Sequence, residues 1–336
     1  MKTISRQPTA VKTGILLINL GTPEATDFRT VRRYLRQFLS DKRVIDARGP
    51  VWWLILNGII LTRRPRSLGR AYDLIWNTHL NESPLRTHTR QQAETLAACF
   101  DGRSHITLDW AMRYGTPSIG SAIDRLITAG CERLLLFPLY PQYSAATTAS
   151  AMDAVFDALK THHFQPSLRV VPPYFDHPAY IAALADSIRA HHAGLSWTPE
   201  VTIATFHGLP VDFITKGDPY KTQCEASFAL LRAALNASED QMLLTYQSRT
   251  SRKEWIGPDT EETLIHLADK GVKNLSLVAP GFAADGVETL EEIGLRATQK
   301  FRSAGGNNVT LVPCLNASLP SIEMLTALVS ENLWKP

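Results

Sequence analysis

Residues 124–138, DRLITAGCERLLLFP, pass from an amphipathic helical pattern through a glycine turn into four consecutive apolar residues closed by a proline. A strand that is apolar at successive positions is buried on both faces, the mark of a parallel sheet covered by helices. The same order returns at 266–280, HLADKGVKNLSLVAP. Two further echoes accompany it: LINLGTP (17–23) with ATFHGLP (204–210), and WAMRY (110–114) with YQSRT (246–250). Strands are expected at 13–20, 104–112, 132–140, 168–174, 201–207, 242–248 and 273–279, with helical patterns such as TVRRYLRQFL and ETLEEIGLRATQKF between them. The expected fold is α/β, two tandem Rossmann-like lobes, each a parallel β-sheet flanked by helices. The lobes are expected at 12–173 and 174–336, divided within VPPYFDHPAY (171–180), where three prolines interrupt the pattern. In such folds ligands sit at the carboxyl ends of strands, here in the cleft between lobes.

Composition narrows the function. The 336 residues are 44% apolar and 20% charged, with a net charge of +3, which is too small to argue for nucleic acid. Cys99, Cys131, Cys224 and Cys314 stand singly, so neither a disulfide framework nor a thiolate metal site is expected. The N-terminal MKTISRQPTAVKTG lacks the apolar core of a signal peptide, so the expected location is cytoplasmic. There is no G-x-G-x-x-G, Gly-Lys pair, G-x-S-x-G or H-E-x-x-H, which argues against nucleotide, P-loop, serine-hydrolase and zinc-protease readings.

One segment departs from this pattern. PVWWLILNGIILT (50–62) is a nearly unbroken apolar run flanked by Arg43 and Arg48 before it and by Arg63, Arg64 and Arg66 after it. It is too short to span a bilayer. It reads either as a buried helix or as an exposed lip (about 48–66) that admits an apolar ligand or touches a membrane surface peripherally.

Chemistry is expected at two strand ends. His207 closes a strand and precedes Gly-Leu-Pro, a turn that presents the imidazole at the cleft. In PGFAADGVETLEEI (280–293), Asp285, Glu288 and Glu292 follow at spacings of three and four, which stacks them on one face of an α-helix. Acids in a first turn also complement a helix dipole. Aligned acids repel, however, and repulsion with burial raises carboxyl pKa values, as suits a group that moves protons or gathers a divalent cation. One neutral His with one or two carboxylates is a weak, open site for an ion that is passed on.

The segments GILLINLGTPE, MRYGTP, FPLYPQYSAATTAS, FHGLP, KGDPY, QSR followed by EWIGP, and PGFAADGVETLEEI together resemble the ferrochelatase family from about residue 13 to about 330. The resemblance implies insertion of Fe²⁺ into protoporphyrin IX to form protohaem, with His207 and Glu288 as the catalytic pair. Asp285 and Glu292 resemble the rest of an acidic path to that centre. Arg64, Tyr72 and Ser83 match the family's macrocycle-rim residues, and Met112, Arg113 and Tyr114 its MRY-type wall. NESPL stands where GSPL is common, and Gly286 stands where Cys or His occurs in other members. With no cysteine-rich extension, no iron–sulfur cluster is expected. No cofactor is required, porphyrin and Fe²⁺ being substrates, and the expected state is a monomer. Which of His207 and Glu288 takes protons and which handles metal stays open. Coproporphyrin III or another tetrapyrrole chelation is an alternative, and a non-catalytic two-lobed binding protein is the reading from another class.

Overall fold

The structure, a computed structural model, describes residues 11–46, 49–249 and 253–335. The leader reading at residues 1–10, Arg48 of the expected lip and Thr250 of the WAMRY/YQSRT echo lie outside the described residues.

Among the described residues, eight strands form two four-stranded parallel sheets. The first contains β1 Thr13–Gly21, β2 Ile106–Tyr114, β3 Arg133–Pro138 and β4 Ser167–Val170, in the order β2-β1-β3-β4. The second contains β5 Val201–His207, β6 Met242–Gln247, β7 Asn274–Val278 and β8 Asn308–Leu311, in the order β6-β5-β7-β8. The orders are equivalent strand for strand, so the repeat read in the sequence is a repeat of topology. β8 was not among the expected strands. It is a four-residue edge, NVTL, too short to declare a period. β4 ends at Val170 and not at residue 174, because Pro172 and Pro173 have no N–H to give a ladder.

The central strands are apolar throughout because both faces are covered. Ile15, Leu16, Leu17 and Ile18 of β1 are fully buried, as are Leu134–Phe137 of β3. The glycines at the ends of the two leading strands have a common steric cause. A side chain at Gly21 (φ +112°) would put a Cβ 1.8 Å from the Tyr114 carbonyl oxygen, and one at Gly208 would put it 2.6 Å from that of Gln247. In each lobe the neighbouring strand end crosses too closely for any Cβ.

Helix starts are set locally. Asp27, Ser83, Ser118 and Asp259 each accept backbone N–H bonds at the first turn of the helix that follows, worth ~1 kcal/mol apiece. The lobes share one core: Ile15, Leu17 and Phe137 of the first pack in a cluster with Phe206, Tyr246 and Val278 of the second. The last helix, Leu319–Asn332, packs both on Pro84–Ala98 of the first lobe and on Pro178–Ala193. One side of the cleft is therefore closed by continuous packing.

The apolar run is not a buried helix. It forms a helix Gly49–Ile55, a π-helical turn Leu56–Ile60 and the start of a helix Leu61–Asp73. Val51, Trp53, Leu54, Ile55 and Ile59 are exposed, whereas Leu56 and Leu61 anchor the unit against Val31 and Leu35. Pro65 leaves the Leu61 carbonyl without its helical donor, and Arg32 Nε supplies one at 3.2 Å. Among the described residues, no helix is long and apolar enough to cross a membrane.

Candidate active site

A cavity of about 700 Å³ opens between the lobes at the carboxyl ends of the strands. Leu20, Leu35, Phe38, Leu68, Leu85, Leu139, Phe282 and Val287 give it mostly apolar walls. Into this lining project His207, Glu288 and Glu292, with Arg64 and Tyr72 from the helix that continues the lip. Five of the residues singled out from sequence are thus brought together. No residue of 50–62, all of them described, lines the cavity; of the expected lip (about 48–66), Arg64 does.

His207 sits at the last position of β5. Its Nδ1 lies 2.7 Å from the carbonyl oxygen of Gly208. A carbonyl can only accept, so Nδ1 carries the hydrogen, and Nε2 is the nitrogen that offers a lone pair when the ring is neutral. The turn is held in turn by Gly208 N–H, which donates to Gln247 O at 2.6 Å. Among the described residues, the hydrogen bond that orients His207 is therefore to backbone, and it leaves Nε2 to face a proton or a metal ion.

Glu288 begins a ten-residue π-helix, Glu288–Ala297, where an α-helix was expected. Long π-helical runs are rare and tend to occur at functional sites. Burial pushes the Glu288 carboxyl above the ordinary carboxylate range; nearby His207 pulls it back and Glu292 pushes it further up. Glu292 accepts a 2.8 Å bond from Ser248 Oγ, on a residue held at φ +67°. Arg296 lies 3.6 Å from both Glu291 and Glu292 and also lines the cavity. Tyr34 and Tyr72 stand close by with their hydroxyls neutral, since burial raises both pKa values and the Glu288 charge adds to the shift.

The structure places the other expected residues off the cavity lining. Asp285 is buried ahead of the π-helix, where its carboxylate accepts from Thr289 Oγ1 at 2.9 Å and Asn316 Nδ2 at 2.7 Å. It braces the helix start and does not share a face with Glu288 and Glu292. Ser83 is the buried cap of Pro84–Ala98 and accepts from Arg86 N–H. Met112 is fully buried against Leu85 and Ala284. Arg113 and Tyr114 turn to Asp41: Arg113 Nη2 reaches its carboxylate at 2.5 Å and Tyr114 Oη donates to it at 2.8 Å, with Ser150 as a shared partner. Asp41 stays charged below the usual carboxylate range because its hydrogen bonds and Arg113 outweigh burial.

Several lining residues were not singled out as site residues: Tyr34, Phe38, Gln142, Tyr220, Arg249 and Arg296. Gln142, Tyr220 and Arg249 stand inside the segments FPLYPQYSAATTAS, KGDPY and QSR and are legible on that ground. Tyr34 and Phe38 belong to an ordinary amphipathic helix, which carries no such signal. Among the described residues, no three His, Cys, Asp or Glu side chains converge as a closed metal site.

A family model described as Ferrochelatase matches residues 12–333. A protein of Rhizobium meliloti (strain 1021) named Ferrochelatase is 51% identical over 322 residues, covering 96% of this chain and 95% of its own. One of Brucella ovis (strain ATCC 25840 / 63/290 / NCTC 10512) with the same name is 49% identical, covering 96% and 92%. Among solved structures, SirB from Bacillus subtilis with Fe³⁺ superposes with a TM-score of 0.56 at 13% identity, covering 96% of each chain. CbiX, described as the terminal enzyme for biosynthesis of siroheme in denitrifying bacteria, gives 0.50 at 13% identity over 96% of this chain and all of its own. These structural likenesses speak for the fold alone.

Proposed function

The chain belongs to the ferrochelatase family, and on that footing we propose that it inserts Fe²⁺ into protoporphyrin IX, with release of two protons, at the cavity between the lobes. The observation that carries this reading is the pairing, inside one apolar cavity, of an imidazole held through Nδ1 with Nε2 left to the cavity and a carboxyl with a raised pKa. A planar porphyrin shields its central nitrogens with inward N–H protons. A cavity that favours a bent macrocycle exposes them, so contacts far from the centre lower the barrier there. His207 then takes a pyrrole proton or hands over the metal, and Glu288 serves the other half of the exchange.

The lining supports a substrate preference. Among the described residues, Arg249 already holds Asp259 and Arg296 lies against Glu292, leaving Arg64 of the three lining arginines to meet a porphyrin carboxylate. Two propionates need fewer cations than four, and apolar walls suit vinyl groups, which favours protoporphyrin IX over coproporphyrin III. The test is anaerobic Fe²⁺ with each porphyrin in turn, followed by absorbance. Protoporphyrin should be metallated faster, and a preference for coproporphyrin would reverse the assignment.

The lip is proposed as a peripheral membrane contact. Its outward face combines Trp53, Leu54 and Ile59 with flanking arginines, as interfacial segments do. Trp53→Ser with Leu54→Ser should weaken co-sedimentation with anionic liposomes and raise the KM for liposome-borne porphyrin, with little change in kcat. Both side chains are exposed, so thermal stability should hold within ~0.5 kcal/mol. Trp52 packs into the cluster beneath, and changes there would test the core instead. Unchanged liposome binding in the double variant would reject the membrane contact.

A further inference from the structure

The KGDPY segment, residues 216–220, lies on the second lobe, and its side chains reach the first. Gly217 takes φ +98°, a left-handed turn that aims the next residue across the cleft. Asp218 then makes bonds in both directions with one carboxylate. Oδ1 accepts the N–H of Tyr220 at 3.0 Å, at the start of the helix Tyr220–Leu235. Oδ2 accepts the N–H of Ala145 at 2.7 Å and the hydroxyl of Ser144 at 3.0 Å. Those two residues open the π-helical turn Ala145–Ala149 of the first lobe. The joined elements each send a side chain into the cavity, Thr147 from the π-turn and Tyr220 from the helix.

We propose that Asp218 is a positioning residue of the substrate cavity, whose one carboxylate ties the π-turn Ala145–Ala149 to the helix Tyr220–Leu235 and thereby sets the gap between Thr147 and Tyr220. Its strength lies in charge. N–H and O–H bonds to a carboxylate are about twice as strong as those between neutral groups. The neighbouring links, Tyr143 N–H to Gln223 Oε1 at 2.7 Å and Gln142 Nε2 to Ser227 Oγ at 2.8 Å, are neutral. Lys216 also pairs with Asp46 across the lobes at 2.6 Å, but both side chains are largely exposed and such pairs hold little. An amide at position 218 keeps one acceptor and turns an N–H₂ toward the remaining donors, so it cannot cap both elements.

The inference rests on the proposal that this cavity takes a porphyrin, and the experiment separates the two. Wild type, Asp218→Asn and Ser144→Ala, each as the full chain, are compared well below their unfolding temperatures. The readouts are steady-state kinetics in both substrates and a porphyrin fluorescence titration. The KM and Kd for porphyrin should rise about tenfold in Asp218→Asn, as for loss of a charged hydrogen bond, and about two- to threefold in Ser144→Ala. The KM for Fe²⁺ should stay within about twofold in both, on the same scale. A merely structural role would lower thermal stability and leave porphyrin affinity where it was. Unchanged porphyrin KM and Kd in the variants, beside an active wild type, overturns the role of Asp218; if Asp218→Asn does not fold, Ser144→Ala decides alone. A wild type that neither binds nor metallates a porphyrin overturns the reading of the cavity instead.

Discussion

His207→Ala should abolish iron insertion while leaving the protein folded. The imidazole is exposed to the cleft and packs in no core cluster, so its loss opens no buried void. What disappears is the Nε2 lone pair, held in register by the Nδ1 bond to Gly208 O. Loss of a positioned acid–base group costs about 10²–10⁴-fold. If the same nitrogen also touches the metal, the loss lies at the upper end. Porphyrin affinity should change little, because the walls and Arg64 remain. Added imidazole should restore part of the rate by entering the vacated space. Folded His207→Ala protein with normal turnover would remove the assignment.

Glu288→Gln should have the second largest effect, at least ~10²-fold in rate, through loss of a titrating group at nearly constant shape. The same change at Glu292 should cost less. A greater sensitivity at Glu292 would mean that Glu292, and not Glu288, stands at the reacting centre. The structure adds a consequence of opposite sign for stability. The folded-state pKa of Glu288 is raised, so the native protein binds that proton more tightly than the unfolded chain does. Stability is therefore lost as pH rises from the unfolded value of about 4.3 through the raised folded value. The Gln variant, with no charge to bury, should melt higher than wild type at pH 8 and close to it at pH 4. A lower melting temperature at pH 8 would contradict the buried-charge account.

The sheets were legible because their central strands are continuously apolar and their glycine turns repeat, features that burial and close backbone approach impose directly. The edge β8 was not, since four residues at an edge carry too little pattern. At the site, His207, Glu288 and Glu292 were legible from strand-end position and spacing. Arg64 and Tyr72 were found only through resemblance to a family. The orientation of strand-end residues was the part that could not be read. Arg113 and Tyr114 stand at a carboxyl end like His207, yet they bond to Asp41, a residue remote in sequence with no motif of its own. The π-helix was equally hidden, because spacings of three and four look the same whichever helix type the chain adopts.

The equivalence of the two lobes bears on how the product leaves. In the echo of LINLGTP by ATFHGLP, Leu20 before Gly21 stands where His207 stands before Gly208, and both line the cavity. Iron in a finished haem readily takes two axial ligands, and paired side-chain donors fasten it as a permanent prosthetic group. On the proposed reading, one lobe offers an imidazole nitrogen and its counterpart offers a hydrocarbon branch that cannot coordinate. At this pair of positions a metallated ring would find one protein donor and not two, so nothing there would hold the product as a permanent prosthetic group.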